Sequence, residues 1–329
     1  MNILVTGATG FIGTVLVDYL KKRNDRIRIL LRPESDSGKA SSMQVDICKA
    51  RYDDPDSLRS AVRGTDIIIH LAGVTKSVDA KGFHDGNVLP VKKLLEAAGE
   101  VNPGLKRFVL VSSLAAAGPA GDPGTGVREE EEPQPVSIYG RSKLEAEKIC
   151  QSFKDALPIT IVRPPAVYGP GDRDVLQFLQ LLKKGLVLSA GDVRTQRLSL
   201  VHVDDLVRGI VMASESPAGV GETFFITSPK GYSWDELLEA AVRELGVRHV
   251  RKISLPKPLM NFLGYVAGLI GKVSGNTGFL NPDKVKEMVQ DYWVCSPDKA
   301  ERQLGFTASV SLEQGMRDTI QWYKEKGWL

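Results

Sequence analysis

The amino-acid sequence predicts an α/β protein in which a doubly wound parallel sheet carries a smaller, mostly C-terminal α/β substrate domain. Short apolar runs alternate with helical patterns through the first half of the chain, which is typical of parallel strands joined by helices. A strand, a glycine-rich turn and a helix follow one another directly at the start. The length of 329 residues leaves room for a large domain together with a small one.

The opening residues predict a cradle for a diphosphate group. Residues 1–5 are an apolar run suited to a buried strand, and an amphipathic helix pattern occupies 14–22. In the turn between them, Gly7 permits a tight bend, Gly10 lets the backbone approach a pyrophosphate, and Gly13 lets the helix pack on the strand. The helix N-terminus offers free N–H groups to the anion. The residues predicted to contact a dinucleotide here are Gly7, Thr9, Gly10, Phe11, Ile12 and Gly13.

The second strand, predicted over 26–31, is followed by Arg32. In NAD-specific folds an acidic residue near this place binds the ribose 2′-hydroxyl. Arg32 instead suits a 2′-phosphate, because a guanidinium forms bidentate, charge-assisted hydrogen bonds. We therefore expect NADP as the cofactor, and Glu34 and Asp36 nearby keep NAD as the alternative.

Several stretches resemble motifs of the extended short-chain dehydrogenase/reductase family. The Gly-x-x-Gly-x-x-Gly spacing of the first turn is similar to this family's fingerprint, and residues 66–73, 163–171 and 202–205 resemble further signatures. The family includes nucleotide-sugar epimerases, dihydroflavonol-type reductases and 3β-hydroxysteroid-type dehydrogenases. The resemblance covers nearly the whole chain, and it implies a Rossmann-like fold and an NAD(P)-dependent enzyme.

The resemblance also implies further cofactor contacts. Asp46 and Ile47, at the end of a third strand predicted over 43–47, would be an acidic–apolar pair at the adenine. The exit of the fourth strand would line the cofactor, and the backbone after the sixth strand would meet the nicotinamide amide. The residues concerned are Leu71, Ala72, Gly73, Pro164 and Val167.

A serine, a tyrosine and a lysine carry the predicted chemistry. Tyr139 and Lys143 are four residues apart and so share one helix face. We expect the Lys143 ammonium to lower the pKa of Tyr139, which exchanges a proton with the substrate as a hydride moves. Ser113 would orient the substrate oxygen, and we prefer it to Ser112 because it lies five residues before Gly118, as in the family pattern. The resemblance implies that Lys143 also holds the nicotinamide ribose.

Three functions fit these residues. The first is an oxidoreductase for a carbonyl/hydroxyl pair on a moderately apolar substrate, the second a nucleotide-sugar epimerase, and the third a non-catalytic dinucleotide sensor. Alanines at 115–117, and Ala166 where many nucleotide-sugar enzymes have asparagine, favour the oxidoreductase. Arg194 and Arg197 favour the epimerase, because arginines can hold a diphosphate. The intact serine, tyrosine and lysine argue against a sensor.

The composition of the chain limits the classes of binding partner that we expect. A net charge of +3 is too small to argue for nucleic acid or an anionic membrane. Three scattered cysteines predict neither a disulfide framework nor a metal cluster. With no signal peptide before the first strand, we expect a cytoplasmic protein, most simply a homodimer, that binds a small-molecule substrate and no metal.

We expect the NAD(P)-binding domain to comprise residues 1–172 and about 197–227, and the substrate-binding cap to comprise about 173–196 and 228–329. The longest apolar stretch, 259–271, is too short to span a bilayer. We interpret it as a packed helix of the cap, with an interfacial membrane helix as the alternative.

Overall fold

The computed structural model of the chain describes residues 1–35, 37–190, 195–274 and 281–329. Its centre is a seven-stranded sheet in which every neighbouring pair of strands is parallel. The strands of this sheet are β1 (Asn2–Thr6), β2 (Arg26–Leu31), β3 (Asp46–Lys49), β4 (Ile67–His70), β5 (Arg107–Val111), β6 (Ile159–Arg163) and β11 (Thr223–Phe225). Their order is β11-β6-β5-β4-β1-β2-β3, so the chain reverses its direction of travel across the sheet at β1.

Helices cover both faces of this sheet, which confirms the predicted Rossmann-like, doubly wound α/β architecture. Those of the first half are α1 (Phe11–Lys22), α2 (Ser37–Ser42), α3 (Pro55–Val62), α4 (Ala80–Phe83), α5 (Leu89–Val101), α6 (Leu114–Ala117) and α7 (Ile138–Ser152), with a π-helical turn at His84–Val88. Those of the second half are α8 (Arg173–Lys183), α9 (Val203–Glu215), α10 (Trp234–Leu245), α11 (Lys257–Ser274), α12 (Pro282–Met288), α13 (Asp298–Leu304) and α14 (Leu312–Glu325), with a 3₁₀ turn at Pro217–Gly219.

Two cores explain why the strands are continuous apolar runs. In β1, Ile3 and Val5 point into the core on one face of the sheet, and Leu4 points into the core on the other. A strand buried on both faces needs apolar residues at every position rather than at alternate ones. This continuous apolar run is why the first residues of the chain could be predicted as a parallel strand from the sequence.

Smaller sheets lie outside the central one. β8 (Leu186–Ala190) pairs with β13 (Arg251–Leu255), and β7 (Ala166–Tyr168) pairs with β10 (Leu200–His202). β9 (Arg197–Leu198) lies between β12 (Tyr232–Ser233) and β14 (Tyr292–Trp293).

A third core lies between α8, α10 and α14 and contains Leu179, Leu238 and Ile320. From the C-terminal part of the chain, Ala300 and Phe306 join the core of the central sheet instead. The division of the chain into an NAD(P)-binding domain and a cap therefore stays a prediction.

The third strand begins later than its apolar pattern indicates. It was expected over 43–47, yet β3 starts at Asp46 and runs to Lys49. Gln44 has a left-handed backbone with φ of 57°, a conformation incompatible with an extended strand. The amide of Met43 donates to the Ala40 carbonyl, so this segment is a turn that ends α2.

The described residues contain no helix that is both long enough and apolar enough to cross a membrane.

Candidate active site and dinucleotide cleft

The glycine turn is pressed between β1 and the exit of β4. Gly7 has a φ of 71°, and a Cβ added to it would lie 2.7 Å from the amide nitrogen of Ala72. A Cβ on Gly13 would lie 2.2 Å from the carbonyl oxygen of Gly7. Both positions therefore require glycine, for its backbone freedom at Gly7 and for the close approach at both.

The amino-terminal end of α1 is suited to an anion. Its N-cap is Gly10, which has no side chain to accept from the helix N–H groups, and its first turn contains no acidic residue. Thr14 donates its hydroxyl to the Gly10 carbonyl at 2.7 Å, which fixes the turn. The free N–H groups and the positive end of the helix dipole remain directed outwards, where a phosphate is stabilised.

A shallow depression at the carboxyl ends of β2 and β3 contains the predicted Arg32. The residues lining it are Arg32, Pro33, Glu34, Arg51, Tyr52, Asp53 and Leu89. Arg32 is exposed, and within the described ranges it has no ion-pair partner. Arg51 is already paired with Asp53 at 2.9 Å and lies 3.4 Å from Glu34. Arg32 is thus a free cation at this edge, and Asp36 lies outside the described residues.

Asp46 does not line this depression, and its position at the adenine stays a prediction. It is the first residue of β3, in register with Arg28 of β2, and it accepts from the Arg28 Nε at 2.8 Å. The side chain of Ile47 is half-buried against the core beneath the sheet. Because β3 starts later than predicted, the residues at its carboxyl end are Arg51 and Tyr52, which sequence reasoning missed.

The exit of β4 joins the glycine turn to the predicted catalytic helix. The Thr6 hydroxyl accepts from the amide of Ala72 at 3.2 Å and bonds the Nδ1 of His70 at 2.8 Å. Burial lowers the pKa of His70 to about 3, so this histidine is neutral and structural. A Cβ added to Gly73 would lie 3.5 Å from the Nζ of Lys143. The segment Leu71–Gly73 therefore runs from the turn to Lys143, and a Cβ at 73 would lie only 2.8 Å from the Oδ1 of Asn87.

Ser113, Tyr139 and Lys143 meet beyond the carboxyl ends of β4 and β5. Burial raises the pKa of Tyr139 to about 12, although a hydrogen bond from Ser113 lowers it. The Nζ of Lys143 donates to the Val111 carbonyl at 3.0 Å. Burial lowers the pKa of Lys143 to about 8, against the opposing effect of the Glu147 carboxylate. The pKa of Tyr139 is therefore raised rather than lowered, because desolvation is the largest influence on it.

The two serines at the end of β5 have different partners. Ser112 donates to Glu147 at 2.5 Å, and Glu147 is held in a buried bidentate pair by Arg163. Ser113 caps α6 by accepting from the amide of Ala115 at 3.1 Å, and it lies close enough to Tyr139 to lower the pKa of that phenol. Of the two serines, Ser113 is therefore the one next to the tyrosine.

Two acidic side chains of α12 hold the start of α7. Asp283 accepts from the amides of Ile138 and Tyr139, at 2.5 and 3.0 Å. Glu287 accepts from the Ser137 hydroxyl at 2.8 Å, and Ser137 itself accepts from the amide of Gly140 at 2.9 Å. These acids are separated from α7 by more than a hundred residues, and no local pattern in the sequence marks them as site residues.

The short helix α6 packs directly on α7. A Cβ added to Gly140 would lie 2.2 Å from the carbonyl oxygen of Ala115. The alanines at 115–117 are all buried, so their small size serves this packing. They consequently no longer argue for an apolar substrate.

The remaining predicted residues lie around β6 and β7. Pro164 is buried and its carbonyl accepts from the Leu114 amide at 2.8 Å, while Val167 is half-buried. Ala166 is exposed at the start of β7. Arg197 is half-buried in β9 and donates to the Gln196 carbonyl at 2.9 Å. Arg194 lies outside the described residues.

Comparison with known proteins identifies the family to which the chain belongs. The sequence model of the NAD-dependent epimerase/dehydratase family matches residues 3–226. A ceramide reductase of Caulobacter vibrioides is 29% identical, covering 99% of this chain and 96% of that protein. A UDP-glucose 4-epimerase of Vibrio cholerae is 27% identical, covering 97% of this chain and 94% of that protein.

Solved structures share the whole fold. The crystal structure of gox2253 matches with a TM-score of 0.81 at 26% identity, covering 99% of both chains. A Bacillus cereus UDP-glucuronic acid 4-epimerase, solved with UDP-glucuronic acid and NAD, matches with a TM-score of 0.77 at 24% identity. That match covers 99% of this chain and 100% of that one.

Proposed function

Since this chain belongs to the NAD-dependent epimerase/dehydratase family, and so is an enzyme of the extended short-chain dehydrogenase/reductase kind, we propose that it reduces a carbonyl group. Its substrate in this proposal is a small, moderately apolar organic molecule. The observation that carries the proposal is that Ser113 lies close enough to Tyr139 to lower the pKa of its phenol, with Lys143 on the same face of α7.

The residues of the cleft suit a dinucleotide. The glycine turn and the open end of α1 would hold the diphosphate, since added Cβ atoms would fill the cradle. Leu71–Gly73, Lys143 and the backbone at 164–167 would hold the nicotinamide half. When bound, this cofactor supplies the hydride for reduction. Arg32 would hold a 2′-phosphate, so we propose NADP as the preferred form and NAD as the alternative.

Tyr139 would supply the proton. Its raised pKa of about 12 keeps the phenol protonated at neutral pH, so the proton that reduction needs is present on Tyr139. In the reductive direction, the carbonyl carbon accepts the hydride while its oxygen takes the proton of Tyr139. Ser113 would donate to the same oxygen and hold it in place as negative charge develops. Tyr139 is thus in the protonation state that the reductive direction requires.

Lys143 would support this proton transfer through its positive charge. It is anchored through the Val111 carbonyl, next to the exit of β4. Below a pH of about 8 it carries its charge, and that charge stabilises the phenolate that remains on Tyr139 after proton transfer. Asp283 keeps Tyr139 in place by accepting from its backbone amide.

An apolar substrate is supported by Ala166 and by the relatives. Ala166 is exposed and brings only a methyl group to the rim of β7. The chain's relatives include a ceramide reductase and, at 25% identity, a 2-alkyl-3-oxoalkanoate reductase of Stenotrophomonas maltophilia. Both names describe reductases of substrates with long apolar chains.

A turnover screen tests this function. Purified protein is incubated with NADPH or NADH and a panel of long-chain and cyclic ketones, and the absorbance of the reduced nicotinamide is followed. We expect net oxidation of the cofactor with at least one ketone class. The absence of oxidation with every ketone, together with conversion of a nucleotide sugar, would reject the proposal.

The second candidate function is epimerisation of a nucleotide sugar. It is favoured by the similarity to the Vibrio cholerae UDP-glucose 4-epimerase over nearly the full length of both chains. Arg197 would then hold the sugar nucleotide's diphosphate. An epimerase returns the hydride to its substrate, so the same screen would detect product without net oxidation of the cofactor.

A further inference from the structure

One part of the cap has a charge distribution unlike the rest of the chain. Residues 245–282 contain no aspartate or glutamate. The basic residues in the same stretch are Arg248, Arg251, Lys252, Lys257 and Lys272. The near-neutral charge of the whole protein, +3, therefore conceals one strongly basic segment.

The helix of this segment, α11, packs on α12 through one face in the part whose side chains the structure describes. Met260 is buried with Val285 of α12. A Cβ added to Gly264 would lie 2.7 Å from a methyl of Val285, and one on Gly268 would lie 2.5 Å from the ring of Pro282. Small residues thus let α11 lie close against α12.

The other face of α11 is apolar and exposed. Leu259 is 43% exposed, Phe262 61% and Tyr265 62%. Ile253 of β13, just before this helix, is 42% exposed. Large apolar side chains on a soluble surface are usual when scattered singly, but a cluster of them on one segment marks an interaction site.

The charges of the segment leave two free arginines. Lys252 is paired with Asp235 at 2.5 Å and Lys257 with Asp291 at 2.9 Å. Arg248 and Arg251 are exposed, and neither has an ion-pair partner in the part of the chain that the structure describes.

The acids of the neighbouring α12 are turned away from the segment. Asp283 and Glu287 are engaged by the start of α7. Of its two exposed lysines, Lys284 is paired with Glu287 at 3.5 Å and Lys286 has no ion-pair partner among the described residues. The charged side chains of α12 therefore leave one more unpaired cation, Lys286, next to the segment.

We propose that the segment from Arg248 to Val266 docks on the surface of an anionic phospholipid bilayer. Leu259, Phe262 and Tyr265 enter the boundary between head groups and acyl chains, where aromatic side chains are stable. Arg248 and Arg251 bind lipid phosphates. A second copy of the chain fits this surface poorly, because it would bring the same basic segment against its own like charges.

Docking there would bring the bilayer close to the candidate active site. α11 packs on α12, and α12 holds the start of the helix that carries Tyr139 through Asp283. A substrate with a long apolar chain would then reach the site from the membrane. The docking itself stands apart from the proposed reaction, since it depends on none of the catalytic residues.

Vesicle flotation of the full-length protein tests the docking. Phosphatidylcholine vesicles containing phosphatidylglycerol are compared with pure phosphatidylcholine vesicles. We expect binding to the anionic vesicles alone, weakened about fivefold for each arginine removed in Arg248→Gln/Arg251→Gln. The matched control Arg63→Gln/Arg302→Gln removes two exposed arginines elsewhere and should bind like wild type.

The apolar face is tested in the same assay. Phe262→Ser/Tyr265→Ser should weaken binding by at least about tenfold, while Val220→Ser, an exposed apolar residue outside the cap segment, should not. Thermal unfolding of each variant verifies that it is folded. Equal binding by all variants, or no binding of wild type to anionic vesicles, would overturn the proposal. A dimer in solution that Phe262→Ser/Tyr265→Ser dissociates, without vesicle binding, would assign the face to self-association instead.

Discussion

The amino-terminal ends of α1 and α7 flank one sheet but are built in opposite ways. At α1 the N-cap is Gly10 and the first turn has no acid, so no side chain takes up the helix N–H groups. At α7, Ser137 and the carboxylate of Asp283 accept from the first amides. The N-terminus of α1 is therefore an open end, whereas the N-terminus of α7 is a filled end, capped by the protein's own side chains.

The two helix ends are therefore suited to different roles, the end of α1 to binding an anion and the end of α7 to fixing the position of Tyr139. An open N-terminus can stabilise a phosphate with its N–H groups and dipole. A helix N-terminus whose N–H groups are already capped cannot bind a phosphate in this way. Its capping residues instead fix the first turn of the helix, which in α7 contains Tyr139. We infer that the α1 end holds the cofactor and the α7 end holds the proton donor, and changes at the two ends should therefore separate binding from turnover.

The largest effect is expected at Tyr139. Tyr139→Phe removes the proton donor and should lower turnover about a thousandfold, while cofactor binding is unchanged because the ring remains. Steady-state rates and titration of cofactor fluorescence measure the two properties. Tyr19→Phe, a half-buried tyrosine of α1, is the control. Turnover near that of wild type in Tyr139→Phe would remove this residue from the mechanism.

The next effect concerns pH and Lys143. Its pKa is about 8 in the fold against 10.5 when unperturbed, so the unfolded chain holds more protons between these values and stability rises with pH there. Lys143→Met should lack this rise. The difference in unfolding free energy between wild type and Lys143→Met should change by about 3 kcal/mol from pH 8 to 10.5. Denaturant unfolding at several pH values measures it, and parallel curves would show that Lys143 is not shifted.

A substitution at Gly7 should close the open end. Gly7→Ala introduces a Cβ at 2.7 Å from Ala72, at a φ of 71°. We expect a stability loss of about 2 kcal/mol and cofactor binding weakened at least about tenfold. Gly64 has a φ of 70° with nothing within 4 Å of an added Cβ, so Gly64→Ala carries the backbone cost alone. Equal losses in both variants would leave no role for the close approach.

Arg32 tests which dinucleotide the open end prefers. Arg32→Ala should weaken NADPH binding about tenfold, since a charge-assisted hydrogen bond is lost. NADH binding should be nearly unchanged. Isothermal titration with both cofactors measures the ratio, and similar losses for the two would withdraw the assignment of Arg32 to the 2′-phosphate.

The smallest effect is expected at the filled end. Asp283→Ala removes the acceptor for two amides of α7 and should lower stability by about 1 kcal/mol and the turnover number several-fold. Asp283→Asn keeps an acceptor oxygen, because asparagine is as good a cap, and should restore both. KM for the cofactor should stay constant throughout. A change in cofactor KM without a change in turnover number would show that Asp283 affects cofactor binding rather than the position of Tyr139.

Local patterns in the sequence were enough to predict the glycine turn at the N-terminus of α1 and to propose the residues of the chemistry. The glycine spacing, Arg32 and the Tyr139–Lys143 pair each lie within a few residues of the element that positions them. The filled end was missed because Asp283 contacts Tyr139 across 144 residues, and no local periodicity encodes such a contact.

Two differences from the expectations have local physical causes. The third strand was expected over 43–47, but the left-handed Gln44 delays β3, so Asp46 is the first residue of this strand rather than near its end. The effect of Lys143 on Tyr139 was judged from charge alone. Burial opposes ionisation of both side chains, and its depth depends on packing that only the folded chain defines.

Carbonyl reduction with Tyr139 as the proton donor can be followed by isotope transfer. The measurement uses reduced cofactor deuterated at both C4 positions of the nicotinamide, with the ketone found in the turnover screen. We expect one deuterium on the carbinol carbon of the product for each cofactor oxidised, and neither event in Tyr139→Phe. This expectation would be contradicted by UDP-glucose turnover to its epimer without net cofactor oxidation, with no deuterium entering any ketone.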